Sequence, residues 1–129
     1  MTYPEIDTNV KLIDAIRNWF TVNTTAGSES TTPGDYTAAG GVYYGPISDW
    51  LITNGVTSMA SAFDKLNGAY NGTAAATGIP TFNKNIGAWN TNGVKDMSLM
   101  FSGAALFNNG GQALAFNTSE VTSMYAMFG

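Results

Sequence analysis

The sequence predicts an α/β repeat protein, in which an N-terminal helix caps a short solenoid of about three strand-turn-helix units. One phrase occurs three times, as VTSMASAF at 56–63, VKDMSLMF at 94–101 and VTSMYAMF at 121–128. Apolar residues recur within each phrase at helical spacing, and a short segment containing Trp or Phe precedes each one. Such self-similarity is typical of proteins in which each unit covers the apolar face of the next.

The first 41 residues are expected to form the capping helix and a polar loop. Residues 9–22, NVKLIDAIRNWFTV, predict the helix, with Thr8 or Asn9 suited to cap its start. Residues 23–41 carry small and polar side chains with a single tyrosine, which predicts a surface loop. The apolar face of the helix includes Val10, Ile13, Ile16 and Phe20.

Residues 42–129 are expected to hold the three units, in one domain with the helix. In the second unit, the segment that begins at Ile86 and reaches Trp89 predicts a short strand. After the Asn92-Gly93 turn, apolar residues fall at 94, 97, 100, 101 and 104, which predicts a helix. The repeated apolar residues form the predicted core: Trp50, Val56, Met59, Phe63, Trp89, Val94, Met97, Met100, Phe101, Phe116, Val121, Met124, Met127 and Phe128.

Two surfaces are candidates for contact with a partner. The methionines could instead form an exposed groove for partner helices, but this would leave the domain without an interior. The outward positions of the predicted strands are small or neutral, which would allow a backbone or a sugar to approach, although a plain solvated face fits as well. The candidate interface residues are Ser48, Asp49, Gly87, Ala88, Ala115, Asn117, Tyr125 and Phe128.

Composition excludes several functional classes. Charged residues are only 11% of the 129 residues, the net charge is −4, and the five cations are scattered, so nucleic-acid binding is not expected. The chain has no Cys and no His, which removes disulfides, thiol chemistry and the commonest general base. The first ten residues lack the pattern of a signal peptide, and no segment is apolar enough for membrane insertion.

No catalytic, cofactor or metal site is predicted. The acidic residues show neither a paired-carboxylate arrangement nor a calcium-loop motif, so they are interpreted as solvated surface acids. Calcium held by loop carbonyls stays an alternative. Three glycosylation sequons, at Asn23, Asn71 and Asn117, are explained by chance in a chain rich in Asn and Thr.

The repeats resemble the leucine-rich-repeat-like surface proteins of the BspA type. More closely, they are similar to a branch with a Trp-Asp-Thr-Ser-x-Val-Thr-x-Met-Ser-x-Met-Phe repeat, found in mycoplasma lipoproteins, marine bacteria and aquatic viruses. The matching segments are WNTNGVKDMSLMF (89–101), FNTSEVTSMYAMF (116–128) and the looser WLITNGVTSMASAF (50–63). The resemblance implies a leucine-rich-repeat-like solenoid, a location on surfaces and no enzymatic activity. Departures are one extra residue after Trp50 and Phe116 in place of Trp.

These observations predict a non-enzymatic structural or interaction protein. Because the third unit is followed by no polar cap, we expect it to be completed by another chain, in a homo-oligomer or on a larger assembly. The favoured role is a virion (phage) decoration, fibre or appendage subunit on a particle surface. The alternative is a bacterial cell-surface adhesin module that binds host protein or glycan. Either role places the chain on a virion surface or at an extracellular surface.

Overall fold

A computed structural model describes residues 2–129. Strands β1 (Glu5–Ile6) and β2 (Leu51–Ile52) pair in parallel, with Glu5 opposite Leu51 and Ile6 opposite Ile52. The three α-helices are α1 (Asn9–Val22), α2 (Pro33–Ala38) and α3 (Ala74–Gly78). Short 3-10 turns are formed by Ile47–Asp49, Gly68–Tyr70, Ile79–Thr81 and Asn109–Gly111.

Helix α1 spans the residues that the sequence predicts. The Thr8 hydroxyl accepts a hydrogen bond from the Lys11 N–H at 3.1 Å and caps the first turn. The face toward the interior buries Leu12, Ile16 and Phe20, each at most 3% exposed. Val10, predicted on the same face, is 70% exposed. The buried face is therefore displaced from the predicted one, since Asn18 is buried although it lies outside the apolar pattern.

The segment 23–41 is more ordered than a plain surface loop. Pro33 begins the six-residue helix α2, as the fixed φ of proline favours at a helix start. Tyr36 is 3% exposed, and its hydroxyl donates to the Ser30 carbonyl and accepts from the Asn23 side-chain amide. The lone tyrosine of the segment thus anchors it to the core.

The predicted fold class, an α/β repeat solenoid of three strand-turn-helix units, is wrong. The structure has three helices and one two-stranded parallel sheet, and no repeat solenoid is evident. Within the described residues after Gly78, neither an α-helix nor a strand longer than an isolated bridge occurs. Consecutive turns occupy the place of the predicted repeat helices, and β2 pairs with the N-terminal segment instead of with another unit.

The phrases form turns because the backbone reverses its handedness at the sixth residue of each one. Ser61, Leu99 and Ala126 have φ values of 58°, 57° and 49°, in the left-handed region that ends a right-handed helix. Turns closed by a hydrogen bond from the N–H of residue i+3 to the carbonyl of residue i occur along each phrase, such as the one from the Met100 N–H to the Met97 carbonyl. Met97 and Met100, three residues apart, are both buried, as they would be on one face of a helix, so the apolar pattern alone could not separate the two structures.

The three phrases lie side by side in parallel. Bridges join Ser58 to Asp96 and Asp96 to Ser123. From the first phrase, the N–H groups of Met59, Ser61 and Phe63 donate to the carbonyls of Asp96, Ser98 and Met100. From the second phrase, the N–H groups of Met97, Leu99 and Phe101 donate to those of Ser123, Tyr125 and Met127. These backbone N–H and carbonyl groups would form hydrogen bonds within the segment in a helix, but here they form them between neighbouring phrases.

The turns before the phrases approach one another closely. A Cβ atom at Gly93 would lie 2.5 Å from the Asn54 carbonyl oxygen, and one at Gly55 would lie 2.2 Å from that of Asp7. Both contacts are shorter than any that a side-chain carbon makes. Glycine is therefore required at these two places by contact with the neighbouring backbone.

Candidate interaction site

The first phrase is covered on its outer side by the N-terminal part of the chain. The side-chain oxygen of Asn9, at the start of α1, accepts hydrogen bonds from the N–H groups of Thr57 (2.9 Å) and Ser58 (3.1 Å). The fully buried Tyr70 donates its hydroxyl to the Ala62 carbonyl at 2.7 Å. Val56, Met59 and Phe63 are accordingly 0% exposed.

The second phrase is enclosed by its two neighbours. Val94, Met97 and Met100 are 0% exposed, and Phe101 is 2% exposed. Trp50 and Trp89, which precede the first and second phrases, stack 5.6 Å apart with 9° between their planes. The Trp89 indole N–H donates to the Ile47 carbonyl at 2.7 Å. The sequence places these residues in the core, and the structure buries them there.

The third phrase is open, which corrects the predicted core at this end. Met124 is 46% exposed and Phe128 is 66% exposed, whereas the equivalent residues of the other phrases are buried. Val121, Met127 and Phe116 are partly buried against the core. No described residue covers the outer side of this phrase in the way that α1 covers the first.

The backbone along this side also has groups without partners. Within residues 2–129, the N–H groups of Met124, Ala126 and Phe128 donate no hydrogen bond, although Met97, Leu99 and Phe101 at the same positions all do. The Thr122 carbonyl accepts none, while the equivalent Lys95 carbonyl accepts from the N–H groups of Thr122 and Ser123. The edge thus has donors and an acceptor at the same positions as the second phrase, but here they have no partners.

Aromatic rings stack in register toward the same side. Phe63 and Phe101 lie 5.6 Å apart with 4° between their planes, and Phe101 and Phe128 lie 5.3 Å apart with 9° between theirs. Phe82 and Phe107 form a parallel pair beside them, 5.9 Å apart. One face of Phe128 therefore contacts Phe101, and the ring is otherwise largely exposed. We call the side chains of Met124 and Phe128, with the backbone of 122–128, the third-phrase face.

The other candidate interface residues do not form one surface on strands. Ser48 and Asp49 lie in a 3-10 turn, and no strand follows Ile86. A Cβ atom at Gly87 would lie 2.9 Å from the Ala113 carbonyl oxygen. The backbone that approaches Gly87 closely therefore belongs to this chain and not to a partner. Ala88, Ala115 and Asn117 are exposed, and Asn117 donates to the Asn92 side chain. Tyr125 is 75% exposed and sits beside the third-phrase face.

Two acids are not the solvated surface groups that the sequence predicts. A carboxylate oxygen of Glu29 accepts from the Trp19 indole N–H at 2.9 Å and from the Ile47 N–H at 2.7 Å, which ties α1 to the first 3-10 turn. Asp64 is 7% exposed and accepts from the Leu66 N–H. Among residues 2–129, no group of three or more His, Cys, Asp or Glu side chains is placed to hold a metal ion.

Two clefts lie away from this face. One, of about 440 Å³, runs along α1 and is lined by Lys11, Asp14, Arg17 and Asn18 among others. The second, of about 340 Å³, is lined by Trp19, Phe20 and Phe82, but these rings are only 3–4% exposed. Tyr44, in the lining of the first cleft, is also only 9% exposed, so neither cleft presents an aromatic platform on which a sugar ring could stack.

Sequence reasoning named Phe128 and Tyr125 but missed the backbone edge and the hydrogen bonds of Asn9 to the first phrase. The sixth position of each phrase, where φ is positive, is occupied by Ser, Leu or Ala, and none of these residue types indicates that conformation. The sequence therefore contains no signal of which backbone groups point toward the neighbouring phrase. The described part of the chain contains no helix that is long and apolar enough to cross a membrane.

These features define a class: a small protein with one continuous core, whose second half sets three similar phrases side by side, covered by a helix at one side and exposed at the other. Residues 38–129 match the family described as "Mycoplasma protein of unknown function, DUF285". Because the match spans well over half of the sequence, the chain belongs to this family. No curated protein and no solved structure matches the chain.

Proposed function

We propose that this chain is a non-enzymatic structural and interaction protein that attaches to another polypeptide through the third-phrase face. The observation that carries the proposal is the exposure of Met124 and Phe128, whose equivalents in the other phrases are buried. Apolar side chains beside unpaired backbone groups are typical of a surface that contacts a partner. The favoured setting is the surface of a virion, where the chain serves as a decoration, fibre or appendage subunit.

A bacterial cell-surface adhesin of the BspA type is the second candidate. Two findings support it: the chain belongs to a family whose description names mycoplasma, and its Val-x-x-Met repeat resembles the repeats of BspA-type surface proteins. The buried aromatic rings of the 340 Å³ cleft favour a host protein over a glycan as the adhesin's target.

Quantitative mass spectrometry of purified intact particles, and of cell-envelope fractions from the same source, tests the proposal. We expect the chain in fixed stoichiometry in one of these two samples. Its presence in particles would favour the virion subunit, and its presence in cell envelopes would favour the adhesin. The double variant Met124→Ser and Phe128→Ser should be made in normal amount but lose this association. Recovery of the wild-type chain only as free protein would contradict the proposal.

A further inference from the structure

We infer that the partner at the third-phrase face is an extended segment of another chain that carries the same phrase, with Met at its fourth position and Phe at its eighth. This inference rests on the proposed function and specifies the chemistry of the partner. It follows from the backbone edge, the stacking of the rings and the shape of this chain's own surfaces.

The edge determines what the partner's backbone must offer. Along the outer side of the third phrase, the pattern is an acceptor at Thr122 followed by donors at Met124, Ala126 and Phe128. The second phrase meets this same requirement in its own contact, because Ser123, Tyr125 and Met127 supply carbonyls at alternate residues in parallel orientation. A parallel segment with free carbonyls at its third, fifth and seventh positions would add to the edge in the manner of β-augmentation.

The third position of such a segment has a preferred chemistry. In all three phrases its side-chain oxygen accepts a hydrogen bond from the N–H of the fifth residue, through Ser58, Asp96 or Ser123. This local turn leaves the third carbonyl free to accept from the neighbouring phrase. The partner is therefore expected to carry Ser, Thr, Asp or Asn at this position.

The rings determine what the partner's side chains must offer. Successive phenylalanines at the eighth position stack 5.6 and 5.3 Å apart with nearly parallel planes. A further aromatic ring at the same step would cover the outer side of Phe128, and an apolar side chain at the fourth position would cover Met124. Each covered surface favours association through the hydrophobic effect.

A second copy of this chain does not meet these requirements. Its first phrase is already covered by α1, Asn9 and Tyr70. Two third-phrase faces related by a two-fold axis would run antiparallel and place the Met124 and Ala126 N–H groups of the copies against one another. Donor groups that face donors cost free energy instead of supplying hydrogen bonds. A different chain with the phrase is therefore the better occupant.

An NMR titration tests the inference, with the ¹⁵N-labelled chain and a synthetic peptide that has the sequence of residues 90–103. We expect shift changes and slowed hydrogen exchange at the amides of Met124, Ala126 and Phe128. A peptide with Met97→Ser and Phe101→Ser should produce neither. Phe128→Ser in the protein should weaken binding by about thirtyfold or more, the loss typical of an aromatic hot spot.

Tyr125→Ser is the matched control. The fifth position stays partly exposed at Ser98 even between two phrases, so the partner should leave Tyr125 outside the contact. This variant should bind the peptide as the wild type does. If Phe128→Ser lowers the thermal melting midpoint, its loss of binding could reflect unfolding. Met124→Ser then provides a second test, because it should also lose binding.

Three results would overturn the inference: no change at these amides with ~1 mM peptide, where even a weak fit would bind; equal binding of the serine peptide; or a concentration-dependent dimer that Phe128→Ser abolishes. Should attachment to particles or envelopes still depend on Met124 and Phe128, the proposed function would stand and only the partner's chemistry would be wrong.

Discussion

At the scale of single residues, the sixth position of each phrase decides the local structure. Ser61, Leu99 and Ala126 each adopt positive φ, a conformation that costs an L-residue roughly 1–2 kcal/mol. The three residues share no side-chain chemistry, so the conformation is imposed by the turns on either side and, at Ser61 and Leu99, by hydrogen bonds to the neighbouring phrase. Glycine adopts positive φ without this cost but loses more conformational entropy on folding.

Replacement of Ser61 by glycine should therefore be neutral or slightly stabilising, by up to about 1 kcal/mol in the free energy of unfolding. The Ser61 backbone groups bond to Ser98, Asp64 and Asn67, and glycine keeps all of these bonds. The matched control is Ala60→Gly, one residue earlier at ordinary φ, which should destabilise by about 0.4–1 kcal/mol because glycine gives the unfolded chain more freedom. Urea denaturation measures both, and equal losses from the two substitutions would contradict the role given to φ.

At the scale of elements, the sequence predicts α1 well and the phrases poorly. The helix has a cap at Thr8 and a one-sided apolar pattern, both of which are local. The phrase positions expected inside are buried in the first two phrases, because the turns, like a helix, place apolar residues three positions apart on the inner side. Their turns depend instead on hydrogen bonds between residues such as Phe63 and Met100, which are far apart in the sequence. For the same reason the exposed apolar side chains could be named, but the unpaired backbone beside them could not.

Asn9 connects the helix to the first phrase, and its loss should be costly. Asn9→Ala would leave the N–H groups of Thr57 and Ser58 without their acceptor, which should lower the free energy of unfolding by about 1–3 kcal/mol. Asn9→Asp keeps an acceptor oxygen and should recover most of this loss. Val10→Ala, in the same helical turn but 70% exposed, should change stability little. Thermal melting of the three variants compares them, and an equal effect of Asn9→Ala and Val10→Ala would exclude the connection.

At the scale of the whole molecule, one core extends from Ile6 through the rings of α1 to Phe101. Trp19 and Phe20 meet Phe82 edge to face, and Phe82 stacks on Phe63, so the helix and the phrases share their aromatic contacts. Unfolding of the helix should therefore expose the phrases as well, and the two halves are expected to unfold together.

This shared core makes stability sensitive to high pH. Burial raises the pKa of Tyr70, with Asp14 and Asp64 adding to the rise and Arg17 opposing it, and burial also raises the pKa values of Tyr36, Tyr43 and Tyr44. A tyrosine with a raised pKa in the folded state stays protonated there after the unfolded chain has lost its proton. Stability should therefore be complete below about pH 10 and decline above it, by at most about 1.4 kcal/mol per pH unit from Tyr70. Tyr36, Tyr43 and Tyr44 should add to the decline in the same direction.

The variant Tyr70→Phe separates this effect from other alkaline changes, including loss of the exposed ion pair between Lys11 and Asp7. At neutral pH it should be less stable by about 1–3 kcal/mol, because the Ala62 carbonyl loses its hydrogen bond from the tyrosine hydroxyl. Above pH 10 its stability should fall less steeply than that of the wild type, because one group no longer ionises on unfolding. Urea denaturation between pH 8 and about pH 11.5 measures both slopes. Parallel slopes would mean that Tyr70 does not contribute to alkaline unfolding, and the decline would then have to come from the other three buried tyrosines.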